Sequence, residues 1–225
     1  MIQLNVYSTL VITLIIQILT AIIDSIILLV KISPKLYIIK QLLALELLIQ
    51  FVEGFFYLNW FYNFKNIKNV TPTRYFDWII TTPSMLITLI FYLIFLQYKE
   101  NNLSESLEFF DLFYKNIDTI IPVLLLNWTM LLFGYFAEVK VMPALLAICL
   151  GFIPFFIYYY IIYTKYVLLS SEGLYIFVYF FLFWSLYGIS ALLPYNTKNI
   201  CYNILDLFSK NFFGVFLAYV VIANN

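Results

Sequence analysis

Seven runs of about twenty or more mostly apolar residues, separated by short polar breaks, constrain this chain more than any other feature of its sequence. They cover approximately 6–30, 36–62, 74–97, 117–136, 141–163, 174–193 and 199–223. A bilayer hydrocarbon core of about 30 Å is crossed by about 20 helical residues, and inside it every backbone polar group must be paired within the segment. Each run is therefore expected to be a spanning helix. The breaks are short, as at Glu138-Val139-Lys140 and Thr164-Lys165, so neighbouring helices must run antiparallel. The expected fold is an all-α membrane protein, a seven-helix up-and-down bundle forming one domain over residues 1–225. The first run lacks a basic leader and a small-residue cleavage site, and reads as a span and not a removed signal.

Composition agrees with this class. Hydrophobic residues make up 64% of the chain and charged residues 11%, against about 25% charged in a soluble domain. Twelve basic and twelve acidic residues cancel, leaving no electrostatic footprint for nucleic acid. With no histidine and two cysteines, the usual zinc and haem ligand sets are missing, and no enzyme is expected. Lysines in the loops of one side (31, 35, 40, 99, 115, 165) outnumber those of the other (65, 68, 140, 198), which favours an outside amino terminus in a multi-pass protein. The longest polar stretch, 98–116, mixes Glu100, Glu105, Glu108 and Asp111 with Leu103, Leu107, Phe110 and Phe113. It reads as a short amphipathic interfacial helix or as a solvated loop. Tyr158, Tyr159, Tyr160 and Tyr163, near the end of the fifth run, read as an interfacial aromatic belt.

Charges within the spans mark a site, because an ionised group at mid-membrane costs roughly 2.5–3.5 kcal/mol on insertion scales. Arg74, the sole arginine, and Asp77 stand one turn apart at the head of the third run. Acidic residues within or at the edge of spans are Asp24, Glu46, Glu53, Asp77 and Asp206, and one lysine, Lys210, lies deep. Lys210 follows Asp206 by four residues, which puts ammonium and carboxylate on one helix face. That pair reads either as an ion pair anchoring the last helix or as a functional amine, since a desolvated lysine can condense with an aldehyde. Asp77, Thr81, Ser84 and Thr88 form one stripe about 16 Å long on the third helix. Hydroxyls are common glue between helices and account for Ser84, but not for Asp77. Two acids, Asp77 and Asp206, are expected to face Lys210.

These residues resemble the microbial (type 1) rhodopsins. The family's third-helix pattern Arg-x-x-Asp-Trp-x-x-Thr-x-Pro appears as Arg74, Asp77, Trp78, Thr81 and Pro83, and its seventh-helix pattern Asp-x-x-x-Lys as Asp206 and Lys210. Met130 to Tyr135 resembles the fourth helix of proteorhodopsins, and Trp184-Ser185-Leu186-Tyr187 the sixth-helix pocket. The resemblance implies all-trans retinal in the core, held as a protonated Schiff base on Lys210 between Trp78 and Trp184. Thr82, Met130, Gly134, Tyr187 and Tyr57 would complete the pocket. Asp77 would be the primary counterion and proton acceptor, with Asp206 the second, oriented by Tyr57 and Tyr187. Arg74 would respond when Asp77 is neutralised.

Departures from the family's pumps bear on function. Eleven residues after Asp77, where outward pumps often carry an acid, stands Thr88; Gly188 follows Tyr187 where proline is common. Glu46 and Glu53, seven apart on one face of the second helix, resemble the acids lining the cation path of channelrhodopsins; hydrogen bonds shared with Asn203 or Asn127 are the plainer reading of this pair. Together with Ser33-Pro34-Lys35 and Asn203 they resemble the viral branch of the family, which implies residence in a host cell membrane. The implied function is light-activated translocation of protons or small cations, with a light-gated cation channel ahead of an outward proton pump and a sensory photoreceptor third. Trimers or pentamers are the assemblies suggested by analogy.

Overall fold

A computed structural model describes residues 5–103 and 106–225, which include no β-strand. Among the described residues, seven helical spans are long and apolar enough to cross a membrane. They comprise α1 (Val6–Leu28), α2 (Tyr37–Asn63, after a 3-10 turn at Pro34–Leu36), α3 (Thr71–Glu100), α5 (Ile117–Glu138), α6 (Ala144–Lys165), α7 (Gly173–Ser190) and a last span built from α8 (Tyr195–Asp206), a π-helical segment (Leu207–Asn211) and α9 (Phe212–Ala223). The short α4 (Phe109–Lys115) joins α3 to α5. The expected amphipathic stretch thus divides: 98–100 continue α3, and of the rest only seven residues become helix. Leu107 and Leu112 are buried beneath it, while Glu105 lies outside the described residues.

Prolines account for the shifted starts of three spans. α3 opens at Thr71, three residues before the expected start, because Pro72 sits in the first turn, where its missing N–H would be unpaired in any case. Pro143 holds an extended backbone (ψ 132°) at the head of α6, which delays that helix to Ala144. Pro194 does the same (ψ 151°) for α8, ending the turn after α7 and letting the last span begin at Tyr195. Inside α3, Pro83 cannot donate to the carbonyl of Ile79; the indole of Trp128 on α5 donates to that oxygen instead, at 2.9 Å.

Beside its apolar core, the bundle turns polar stripes inward and apolar faces outward. On α1 the buried residues include Thr9, Thr13, Gln17, Thr20 and Asp24, spaced four, four, three and four apart, while Ile12, Ile15, Ile18, Leu19, Ile22 and Ile26 are exposed. α2 buries Glu46, Gln50, Glu53, Tyr57 and Trp60, spaced four, three, four and three apart; α3 buries Arg74, Asp77, Thr81 and Thr88; the last span buries Asn199, Asn203, Asp206 and Lys210. Four polar stripes therefore converge on the axis, and apolar faces are left for lipid. Ser84, expected on the α3 stripe, is not buried, and its hydroxyl bonds back to the Ile80 carbonyl at 3.0 Å.

The expected tyrosine belt is corrected in part. Tyr158 and Tyr159 are buried in the main apolar core, packing on Phe155 and Phe181, and only Tyr160 of that trio is exposed. Their place in the helix turns them inward, which composition alone does not reveal. Gly188 lets α7 approach α6: a Cβ there would stand 2.7 Å from the ring of Phe152. Gly188→Ala is expected to lower the melting temperature, at an overpacking cost of about 1–3 kcal/mol. A thermal melt in detergent checks it, and an unchanged midpoint would show that Phe152 yields freely.

Candidate functional site

Lys210 sits inside the π-helical segment, where the helical ladder is widened by one residue. The Phe208 carbonyl there accepts the hydroxyl of Tyr179 on α7. The Lys210 Nζ meets three carboxylates: Asp77 Oδ2 at 2.9 Å, Glu53 Oε1 at 3.2 Å and Asp206 Oδ1 at 3.5 Å. All four side chains are almost wholly buried. The amine thus forms ion pairs with carboxylates from α2, α3 and its own helix; it is not a free amine set in hydrocarbon. Asp77 and Asp206 were expected as the two counterions and Glu53 near the nitrogen; Glu53 makes a third ion pair.

Arg74 does not pair with Asp77, its neighbour one turn along. It crosses the bundle to Asp206, 3.2 Å from Nη1 to Oδ2. Its other donors reach Asn199 Oδ1 at 3.1 Å, the Tyr57 hydroxyl at 3.3 Å and the side chain of Asn203. Its guanidinium carbon lies 4.7 Å from the Trp60 ring centroid, a cation–π contact. Asn203 in turn donates to Thr9 Oγ1 at 2.9 Å, tying α8 to α1. Asp206 accepts Tyr57 at 2.5 Å and Tyr187 at 2.7 Å. This end of the bundle is closed by a fully bonded polar plug. Asp206→Ala would strand the Arg74 charge, and a destabilisation of about 3–5 kcal/mol is expected; urea unfolding of Asp206→Ala beside Asp206→Asn checks it, with equal stability contradicting the pairing.

Beyond the amine the character changes. An apolar cavity runs between α3, α5, α6 and α7, lined by Trp78, Thr82, Met130, Gly134, Trp184, Tyr187, Ser209 and Lys210 among others. Lys210 is the point where this cavity touches the acid cluster. Tyr187 joins both, bonding Asp206 and lying 2.8 Å from the Ser209 hydroxyl. Gly134 keeps the wall thin, since a Cβ there would come within 2.7 Å of the Tyr75 hydroxyl. Tyr57, grouped with the pocket residues in the sequence, does not line the cavity; it stands behind Asp206, on the Arg74 side.

The second-helix acids separate in role. Glu53 accepts Gln17 Nε2 at 2.8 Å as well as Lys210. Glu46 is buried with neither carboxylate oxygen hydrogen-bonded among the described residues, facing Thr88 and within electrostatic range of Asp24. Sharing with the asparagines does not occur: Asn127 donates to Thr82 Oγ1 at 2.8 Å, and Asn203 serves Arg74, Tyr57 and α1. Thr81 and Thr88 donate to carbonyls one turn back, at 3.0 and 3.1 Å. Sequence reasoning passed over Gln17, Gln50, Asn199 and Ser209, although polar residues at helical spacing on α1 and α2 carried the signal.

The model of the bacteriorhodopsin-like protein family matches residues 5–224. The chain belongs to that family. Its fold is similar to that of viral rhodopsin OLPVRII, at 26% identity and a TM-score of 0.81, with 98% of this chain and 99% of that chain covered. A blue light-absorbing proteorhodopsin from Med12 aligns at 18% identity and a TM-score of 0.74, covering 97% and 98%. Halorhodopsin, a light-driven chloride pump, aligns at 16% identity and 0.70, covering 97% and 95%. No curated protein sequence matches. This family member is a microbial rhodopsin near the viral branch, and members of the family generally bind retinal. The cavity suits such a group: it is apolar, faced by two indoles, and has a single primary amine on its wall.

Proposed function

We propose that this chain is a retinal-binding, light-driven proton translocator, with retinal attached to Lys210. The observation that carries this reading is the set of three buried carboxylates around the Lys210 nitrogen, with Asp77 the nearest at 2.9 Å. When bound, retinal supplies light absorption and an isomerisation that reorients the N–H at Lys210. The protein's own groups determine where the proton goes. Asp77 Oδ2 stands within direct transfer distance of the nitrogen, and its Oδ1 has no protein partner among the described residues, so it is available to accept. Protonating Asp77 removes one negative charge from the cluster, while Arg74, paired with Asp206 and not with Asp77, keeps its partners. Trp78 and Trp184 line the cavity and help keep bulk water from the nitrogen.

Pumping moves ahead of gated conduction here because the Arg74 end is a closed, fully bonded plug, and proton hopping crosses such a plug more readily than a hydrated cation does. Gated cation conduction remains the second reading, favoured by the unpaired buried carboxylate of Glu46 in line with Glu53. The lysine bias of the loops supports an amino terminus outside, which makes the Arg74 end the outer one. The deciding measurement is voltage clamp on cells expressing the chain with all-trans retinal. An outward photocurrent that persists without ion gradients is the expected result, and one that reverses with the cation gradient would replace the pump by a channel.

A further inference from the structure

Return of a proton to the Lys210 nitrogen needs a donor at the end opposite Arg74, where Thr88 has no acid to offer. The polar stripes of α1 and α2 lead away from the site toward that end. Gln17 Nε2 donates to Glu53 Oε2 at 2.8 Å and to the Gln50 backbone carbonyl at 3.2 Å. Gln50 Nε2 donates to Asp24 Oδ2 at 2.7 Å. Asp24 lies seven residues beyond Gln17 on α1, roughly 10 Å further along the bundle. Its side chain has no solvent exposure, and it forms no ion pair among the described residues. An isolated buried charge is costly there, and a protonated carboxyl would avoid that cost.

Two independent features mark this as a built pathway. Gly214 on α9 makes room for it: a Cβ there would stand 2.6 Å from Asp24 Oδ2 and 2.7 Å from Gln50 Nε2. Along the same line, Asp24 Oδ1, Gln50 Oε1 and Gln17 Oε1 are buried acceptors without a protein partner among the described residues. Buried polar atoms in this state are the ones ordered water satisfies. Glu46 is the other acid at this end, but no hydrogen bond joins it to Glu53.

We propose that Asp24 is the internal proton donor of this protein, delivering through the Gln50–Gln17 face to Glu53 and thence to the Lys210 nitrogen. This rests on the reading that the nitrogen gives its proton to Asp77 in the light. In the return step the O–H bond of Asp24 breaks and its proton passes by bridging water to the Glu53 carboxylate. Glu53 then releases a proton to the neutral nitrogen, and Asp24, now a carboxylate, takes one proton from solvent at the C-terminal end of α1. One proton moves at each stage and no electrons.

Flash photolysis of the purified pigment tests it. Asp24→Asn is expected to slow reprotonation of the nitrogen tenfold or more, to make its rate follow bulk proton concentration, and to be rescued by azide, a small permeant base whose conjugate acid carries protons. Gly214→Ala, which leaves the carboxyl in place but crowds it, is expected to slow the same step and keeps the test available should Asp24→Asn fail to fold. Recovery of both variants at the wild-type rate, or slowing in Glu46→Gln alone, overturns the proposal. A second readout needs no retinal: infrared spectra of the retinal-free protein are expected to show a protonated carboxyl band that Asp24→Asn lacks and Gly214→Ala shifts. Its absence in the wild-type protein overturns the donor role. If the wild-type protein binds no retinal, the pump reading fails, and the infrared measurement still decides whether Asp24 holds a proton.

Discussion

Lys210→Ala, supplied with all-trans retinal, is expected to show no visible absorption band and no photocurrent. The reason is structural as well as chemical. Lys210 is the one primary amine on the cavity wall, so no other side chain there can take up an aldehyde. Removing it also leaves Asp77, Glu53 and Asp206 facing each other without their shared cation. Breaking a buried pair in this way costs about 3–5 kcal/mol, so the retinal-free variant is expected to melt below the retinal-free wild-type protein as well. Absorbance after retinal addition and a thermal melt check the two effects separately. A visible pigment in this variant would end the assignment of the site.

Asp77→Asn is expected to retain pigment but to lose transport by roughly 10²-fold or more, the usual worth of a positioned proton acceptor. Its absorption is expected to move to longer wavelength. A negative charge 2.9 Å from the nitrogen holds the positive charge there in the ground state. With asparagine in its place, that charge spreads along a bound polyene and the excitation energy falls. Glu53 and Asp206 keep the nitrogen ion-paired, so binding is retained. Photocurrent and an action spectrum from the same cells measure both, and a wild-type current would pass the acceptor role to Glu53. Glu53→Gln then becomes the variant to compare.

The two substitutions show the division of labour in the site. Lys210 and Asp77 belong to motifs readable along a single helix. Glu53 does not; its place within 3.2 Å of the lysine comes from the way α2 is rotated against the last span. The same applies to Arg74, whose sequence neighbour Asp77 is not its partner, because its side chain crosses to Asp206 and Asn199 on α8. The π-helical segment around Lys210 has no signature in the residues Leu207–Asn211, and it appears only where Tyr179 of α7 takes up the Phe208 carbonyl.

What the sequence by itself determined is the class and the cast: seven spans from seven apolar runs, and a list of charges too costly to stand in a membrane without a purpose. Spacing along one helix also settled which residues share a face, because rise and turn per residue are constant. Tertiary structure alone decided who pairs with whom between helices. It turned Tyr158 and Tyr159 inward, placed Tyr57 behind Asp206, left Glu46 without a hydrogen bond, and joined Asp24 to Glu53 through two glutamines. Those contacts depend on the rotation and depth of each helix against its neighbours, which packing fixes and no periodicity within one segment encodes.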